Sequence, residues 1–128
     1  MFKITVFALA VSGLCLGSAA RADDAEDKAV AFVKKLGGEG TLDDKAPSKP
    51  VIGVHLGSTK VTDAGLKELA PLKNLTKLDL RFTKVTDAGL KELAALKNLT
   101  WLDLGSTKVT DAGLKELRDA LPKCKISR

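Results

Sequence analysis

An eleven-residue segment, TKVTDAGLKEL, occurs three times without a substitution, and this repetition constrains the fold more than any other feature of the sequence. The copies span residues 59–69, 83–93 and 107–117, so each begins 24 residues after the previous one. A fixed period of this length is typical of stacked repeat units, because one unit can bury its apolar side chains only against its neighbours. The sequence therefore predicts a fold built by repetition.

Each unit is predicted to combine a short strand with a short helix. In LTKLDL, Leu78 and Leu80 alternate with polar residues, which is the period of a strand with one buried face. In the helical run that follows, Thr86 is placed to cap the helix and Asp87 favours its first turn. Gly89 costs stability inside a helix, and its recurrence in every copy predicts a close approach of helix to strand. Because helices are wider than strands, we expect the stack to curve with its strands on the concave face.

The repeated pattern, LxxLxLxxTxVTDAGLKELAxLKN, resembles a leucine-rich repeat. Its threonines at positions 59, 83 and 107 stand where many such repeats carry asparagine, and T-D-A-G-L resembles the ribonuclease-inhibitor-like class of many bacterial repeat proteins. The resemblance covers residues 51–128. It implies an α/β leucine-rich repeat solenoid with parallel strands on the concave face, short helices on the convex face and a surface that binds other proteins.

The first 22 residues have the layout of a secretory signal, with a lysine, an apolar run and an A-x-A site that ends at Ala22. The run is shorter than the ~20 residues that span a bilayer. Cleavage would also remove Cys15, which leaves Cys124 either buried or paired between molecules, since no internal disulfide can form. We therefore predict an exported protein (periplasmic, envelope-associated or secreted) without a membrane segment after cleavage.

Residues 23–50 are predicted to form an N-terminal cap, and residues 51–128 to hold the repeats. The cap consists of a helix from Asp23 to Gly38 and a loop with room for a short strand at Thr41–Leu42. A first repeat has no neighbour on one side, so an atypical element must cover it. The chain is expected to end with a second cap, an edge strand at Cys124–Ser127.

The candidate binding residues lie on the strands, because the helices are copied and the strands differ. The 24-residue step predicts three columns of aligned positions: Gly53, Lys77, Trp101 and Lys125; His55, Asp79, Asp103 and Ser127; and Gly57, Arg81 and Gly105, with Phe82 at a strand exit.

Trp101 is the only tryptophan in the chain. Adjacent strands lie ~4.8 Å apart, so Lys77 and Lys125 can flank its ring. Because Trp and Arg often anchor interfaces, we predict a hot spot formed by Trp101, Arg81 and Phe82. In the alternative interpretation the ring lies over lysine stems and contributes only to folding. The full predicted partner-binding surface contains Trp101, Arg81, Phe82, Lys77, Asp79, Asp103 and His55.

A metal or hydrolytic site is a further hypothesis, since His55, Asp79 and Asp103 share one column and include the residue types of a metal site or a base with its carboxylate. Against it, the row is flat, contains one histidine, and has cations nearby that can pair with the aspartates. The sequence holds no nucleophile elbow, no glycine-rich phosphate loop and no CxxC, so we predict no cofactor and no catalysis.

The charge of the chain favours a protein partner over nucleic acid. Loss of Lys3 and Arg21 with the signal lowers the formal net charge from +5 to +3, and the chain has no tyrosine. This balance is ordinary for a soluble domain and does not imply a base-stacking surface. The leading hypothesis is a non-enzymatic module that presents its concave face to a protein or peptide. The alternative is a structural scaffold of the cell envelope without a specific ligand.

Overall fold

Strands and helices alternate along the repeats in the computed structural model, which describes residues 17–128 and the side chains from residue 24 onward. Residues 1–16 of the predicted signal lie outside the described residues. The described helices are α1 (Gly17–Lys35), α2 (Asp63–Leu66, continued by a 3₁₀ turn at Lys67–Leu69), α3 (Asp87–Leu93) and α4 (Asp111–Ala120). The described strands are β1 (Glu39–Leu42), β2 (Val51–His55), β3 (Lys77–Asp79), β4 (Trp101–Asp103) and β5 (Lys125–Ser127).

The five strands form one sheet in the order β1-β2-β3-β4-β5. Strands β2 to β5 are parallel, and their register places Leu78 between Val54 and Leu102, which confirms the 24-residue step as the step of the sheet. Strand β1 pairs antiparallel with β2. The pairing begins at Glu39, opposite His55, so the strand is longer than the one expected at Thr41–Leu42. The parallel α/β repeat is therefore confirmed, with an antiparallel strand added at one edge.

Leucines fill the space between the sheet and the helices. Three inward-facing leucines are fully buried and belong to one contiguous core: Leu78 and Leu102 of the strands, and Leu93 of α3. Full burial of each such side chain contributes about 1.5–3 kcal/mol. The inward positions predicted from the periodicity are thus the positions that hold the repeats together.

The threonine of the T-D-A-G motif joins neighbouring repeats. The backbone N–H of Thr86 donates to Asp63 Oδ1 over 2.7 Å, and its hydroxyl donates to Asp63 Oδ2. Thr110 makes the same two bonds to Asp87, at 2.8 and 2.5 Å. We call these two pairs the Asp–Thr ladder. Thr86 occupies the N-cap position of α3, but its side chain makes no capping bond, so that part of the prediction is wrong. The equivalent Thr110 does cap its helix, because its hydroxyl oxygen accepts the Gly113 N–H at 3.3 Å while the hydroxyl donates to Asp87.

The glycine of the same motif makes room for that aspartate. A Cβ atom at Gly89 would lie 2.5 Å from Asp63 Oδ1 and 2.8 Å from Leu66 Cδ1. At Gly65, which has no preceding repeat, the equivalent neighbour is Phe32 of α1, with its Cζ atom at 2.8 Å. The predicted close approach of helix to strand is therefore wrong, because the close neighbour of each helix is the preceding helix.

Helix α1 begins at Gly17 rather than Asp23 and ends at Lys35 rather than Gly38. Its acidic residues consequently lie within the helix and not in its first turn, where the helix dipole would stabilise them. Ala29 and Val33 are buried in the core, and α1 contacts the 3₁₀ turn of the first repeat. These are the contacts a cap would make, while the domain boundaries stay predictions. Within residues 17–128, no helix has both the length and the hydrophobicity of a membrane span.

The last strand spans Lys125–Ser127, one residue shorter than predicted, because Cys124 lies in the core just before it. Burial raises the pKa of the Cys124 thiol, which favours the buried alternative for this residue over pairing between molecules. Arg128 donates to Asp111, the aspartate that follows Asp87 in the sequence of repeats. The ladder therefore ends on an arginine where a further repeat would supply a threonine.

Candidate functional site

One side of the sheet faces away from the buried leucines, and we call it the strand face. It carries the outward positions of β2, β3 and β4 and the residues that follow these strands. The register pairs Lys77 with Trp101 and Trp101 with Lys125, so the two lysines flank the tryptophan as predicted. It also aligns His55, Asp79 and Asp103. The geometry of these columns is confirmed, and their role in binding stays a prediction.

Asp79 is buried on this face and is held by Arg81. The Arg81 Nε atom donates to Asp79 Oδ1 at 3.0 Å, and its Nη2 atom donates to Oδ2 at 2.8 Å. The backbone N–H of Arg81 donates to the same carboxylate at 3.0 Å. The side-chain bonds from Arg81 hold the pKa of Asp79 below its ordinary value, and the same contact raises the pKa of Arg81. Asp79 therefore positions the guanidinium, whose own side chain is half-exposed.

Asp103 accepts the equivalent backbone hydrogen bond after strand β4. Its Oδ1 atom accepts the backbone N–H of Gly105 at 3.0 Å, as Asp79 does for the residue two positions on. Its Oδ2 atom lies 3.7 Å from Arg81 Nε. Both carboxylates thus order the turn at the strand exit and neutralise one guanidinium between them.

The hypothesis of a metal or hydrolytic site gains no support from this arrangement. His55 Nδ1 lies 3.8 Å from Asp79 Oδ2, an oxygen that already accepts a bond from Arg81. Among the residues that the structure describes, no three metal-ligating side chains are grouped closely enough to hold an ion. The column of His55, Asp79 and Asp103 is therefore better explained by ordering of the strand exits.

The strand exits adopt a left-handed backbone conformation. Ser58, Phe82 and Ser106 have φ angles of 61°, 57° and 58°. This conformation favours glycine or asparagine and is uncommon for a bulky side chain. Phe82 is nevertheless 64% exposed, so it has little packing to compensate for its backbone. The sequence placed Phe82 beside Arg81, but it did not indicate the left-handed backbone, and the useful signal was the serine at the same position of the other two repeats.

Two grooves cross the strand face. The first, of about 410 Å³, we call the exit groove; it is lined by Gly37, Gly38, Glu39, His55, Gly57, Ser58, Asp79, Arg81 and Phe82. The second, of about 460 Å³, we call the Trp groove; it is lined by Thr41, Ile52, Gly53, His55, Thr76, Lys77 and Trp101.

The predicted hot spot is divided between these grooves. Arg81 and Phe82 line the exit groove, whereas Trp101 lines the other one, and only His55 lines both. Arg81 lies four residues beyond Lys77, the strand neighbour of Trp101, which corresponds to ~13 Å of extended chain. The predicted hot spot of Trp101, Arg81 and Phe82 is therefore divided between two grooves, and its role in binding stays a prediction.

Strand β1 supplies groove residues that the sequence interpretation had assigned to the cap. Glu39 lines the exit groove and Thr41 lines the Trp groove. Both reach the strand face because β1 pairs antiparallel with β2, with Thr41 opposite Gly53. The short strand expected at Thr41–Leu42 was the signal that could have placed them there.

Comparison with known proteins identifies the repeats. Residues 72–94 and 95–117 each match the model of the Leucine Rich repeat family. No curated protein matches the sequence. Leucine-rich repeats generally mediate protein–protein interaction and are typically not enzymes. The two adjacent matches each contain one strand of the parallel sheet and helical residues that pack behind it, so this part of the chain is similar to leucine-rich repeats.

Proposed function

We propose that this chain is an exported, non-enzymatic binding module of the ribonuclease-inhibitor-like class. In this proposal the repeats form a curved solenoid, and the strand face is its concave surface. A protein or peptide partner lies on this face and contacts both grooves. The observation that carries the proposal is the exposed aromatic side chain of Phe82.

The backbone conformation of Phe82 destabilises the fold, and the side chain makes little packing contact that would offset it. A non-glycine residue in a sparsely populated backbone region costs on the order of 1–3 kcal/mol. Most of the Phe82 surface meets solvent, so burial offsets little of this cost. The equivalent residues Ser58 and Ser106 form the same turn without an aromatic ring. An aromatic residue that the framework does not need is well explained by contact with a partner.

Arg81 supports the same interpretation from beside Phe82. Asp79 holds its Nε and Nη2 atoms, so the guanidinium is fixed before any partner arrives. Its Nη1 atom has no hydrogen-bond partner among the described residues and remains able to donate. A fixed arginine loses less conformational entropy on binding than a mobile one, which favours its use as an interface anchor.

The test is a peptide-library selection on the full chain, followed by affinity measurements with Phe82→Ser. This substitution restores the residue of the other two repeats, so we expect the fold to be retained. Loss of an interface anchor is expected to weaken selected peptides about thirtyfold, corresponding to ~2 kcal/mol. Leu42→Ser is the matched control, because Leu42 is also an exposed apolar residue but lines neither groove.

Equal affinity of the selected peptides for the wild type and Phe82→Ser would contradict the placement of the site. A protein that selects no peptide and instead associates with itself would favour the structural scaffold. Export is tested separately by mass spectrometry of the processed chain, for which we expect an N-terminus at Asp23. An unprocessed chain that begins at Met1 would contradict the export proposal and leave the binding proposal intact.

A further inference from the structure

The Trp groove lies on the strand face between strand β1 and Trp101. Gly53, Lys77 and Trp101 are aligned on three adjacent strands. Thr41 of β1 lies against Gly53, where a Cβ atom would come within 3.2 Å of the Thr41 Cβ, and Ile52 also lines the groove. Trp101 is half-buried and forms the opposite wall. The groove can therefore accept an apolar side chain.

Two exposed lysines lie beside this groove. Lys77 and Lys125 lie on either side of Trp101 in the register, and both are exposed. Neither lysine lies within 4.0 Å of a carboxylate in the described part of the chain. The nearby carboxylates of Asp79 and Asp103 are instead paired with Arg81. The two lysines thus present uncompensated positive charge at the edges of an apolar groove.

We propose that the Trp groove binds an acidic segment of a protein partner. One apolar side chain of the segment enters the groove beside Ile52 and Trp101, and carboxylates before and after it lie against Lys77 and Lys125. The two lysines are two strands apart, a distance of ~10 Å that an extended peptide spans in about three residues. This inference rests on the proposed function of the strand face and adds the chemical class of its partner.

A nucleic acid is a less suitable occupant of this surface. A nucleic acid would bring a continuous row of phosphates beside Asp79 and Asp103, whereas a peptide can place its carboxylates at the two lysines alone. The groove also requires an apolar side chain, and an acidic peptide supplies this group together with its charges. A peptide therefore matches both the shape and the charge of the groove.

Trp101 supplies the readout, since it is the only tryptophan in a chain that has no tyrosine. The full chain is titrated with the synthetic peptide EELFEELFEE while the emission of Trp101 is recorded. We expect saturable binding and an emission shift to shorter wavelength as the ring is covered. The peptides KKLFKKLFKK and EESSEESSEE, which lack the acidic charge and the apolar groups respectively, should each bind about tenfold more weakly or not at all.

Lysine variants locate the contact. Lys77→Ala combined with Lys125→Ala should weaken EELFEELFEE about tenfold, as expected for the loss of two exposed ion pairs. Lys91→Ala combined with Lys115→Ala is the matched control, because it removes the same charge from exposed positions on the helices. Lys77→Glu combined with Lys125→Glu should reverse the preference and favour KKLFKKLFKK, which a merely destabilised protein would not do.

Three results would overturn the inference. Equal weakening by the strand-face and helix-side double variants would show that net charge, rather than the Trp groove, attracts the peptide. Oligothymidine that binds as tightly as EELFEELFEE and competes with it would show a general polyanion site. Library peptides that depend on Phe82 but are neither acidic nor sensitive to Lys77 would refute the partner class while the proposed function stands. Failure of the proposed function is recognised separately, by selected peptides that ignore Phe82→Ser.

Discussion

The helix side and the strand face of this protein differ in the way their equivalent positions are filled. On the helix side, T-D-A-G is identical in all copies, and three of its positions make contacts between units: Thr86 bonds Asp63, and Gly89 leaves space for that aspartate. On the strand face, equivalent positions hold Gly53, Lys77 and Trp101. Adjacent strands are joined through backbone hydrogen bonds, which do not restrict the outward side chains. Within T-D-A-G, identity between repeats accompanies contact between repeats, whereas the varied strand face is free to contact a partner.

The largest expected effect is on the buried side of a strand. Leu102→Ala should lower the free energy of unfolding by about 3 kcal/mol, because it leaves a cavity in a core where this leucine is fully buried. The adjacent Trp101→Ala should lower it by about 2 kcal/mol, since part of the ring already lies in solvent. Urea denaturation of both variants measures the difference. Equal costs would support the alternative in which Trp101 serves folding alone.

Gly89→Ala tests the contact between neighbouring helices. In an exposed helix this substitution stabilises by about 1 kcal/mol. At Gly89 we expect a loss of about 2 kcal/mol, because the new Cβ atom would overlap Asp63 and Leu66. Thermal unfolding checks the sign of the change. Gly40→Ala is the control, as its Cβ would meet ordinary contacts at 3.8 Å, and a stabilised Gly89→Ala protein would refute the close packing of the helices.

Asp63→Ala should lower the free energy of unfolding by about 1.5 kcal/mol, because it removes hydrogen bonds to a charged acceptor at a half-exposed site. A double-mutant cycle with Thr86→Ala measures the part that belongs to the hydroxyl bond. If the two substitutions are additive, the side-chain bond of the Asp–Thr ladder contributes nothing. Replacement of the exposed Asp111, which contacts only Arg128 at the end of the ladder, should cost less.

On the strand face, we expect the contribution of Asp79 to the free energy of unfolding to be smaller and to depend on pH. Arg81 lowers the pKa of Asp79 in the folded protein, so the pair stabilises the fold above the unfolded pKa of about 3.9. This stabilisation is lost as the pH falls through the lower folded pKa. The difference in unfolding free energy between the wild type and Asp79→Asn should therefore be largest near neutral pH and shrink in acid. A difference that stays constant in acid would contradict the ion pair, and Asp119→Asn controls for net charge.

Phe82→Ser is expected to change the unfolding free energy least, by within about 0.5 kcal/mol of zero or with a small gain. The serine already occupies this turn in the other two repeats, and the removed ring is mostly exposed. Calorimetric melting of the variant beside the wild type measures the change. A large destabilisation would show that Phe82 belongs to the framework, and the comparison between the two sides of the molecule would then fail at this position.

Much of the fold was predictable because it depends on local periodicity and on the repeat length. The alternation of Leu78 and Leu80 with polar residues predicted the buried face of a strand, and the 24-residue step predicted the alignment of Lys77 with Trp101. The partners of Thr86 and Gly89 could not be predicted in this way. Their contacts join residues in different units, and these depend on how one helix is turned against the next.

The candidate surface was predictable in its members but not in its arrangement. Variation between repeats identified Trp101, Arg81 and Phe82, whereas the structure separates Trp101 from the other two. The burial of Asp79 by Arg81 was one of several pairings that the sequence allowed. Such choices depend on side-chain conformations and on β1, which folds back antiparallel.

By itself, the sequence determined the repeating α/β architecture, the buried leucines and the columns of the strand face, because each of these follows from a period along the chain. The tertiary structure alone decided that Thr86 bonds Asp63, that Phe82 has a left-handed backbone, and that the strand face is divided into two grooves. These features arise from packing between units. Period and composition specify which residues meet at that boundary, but not the distances and orientations at which they meet.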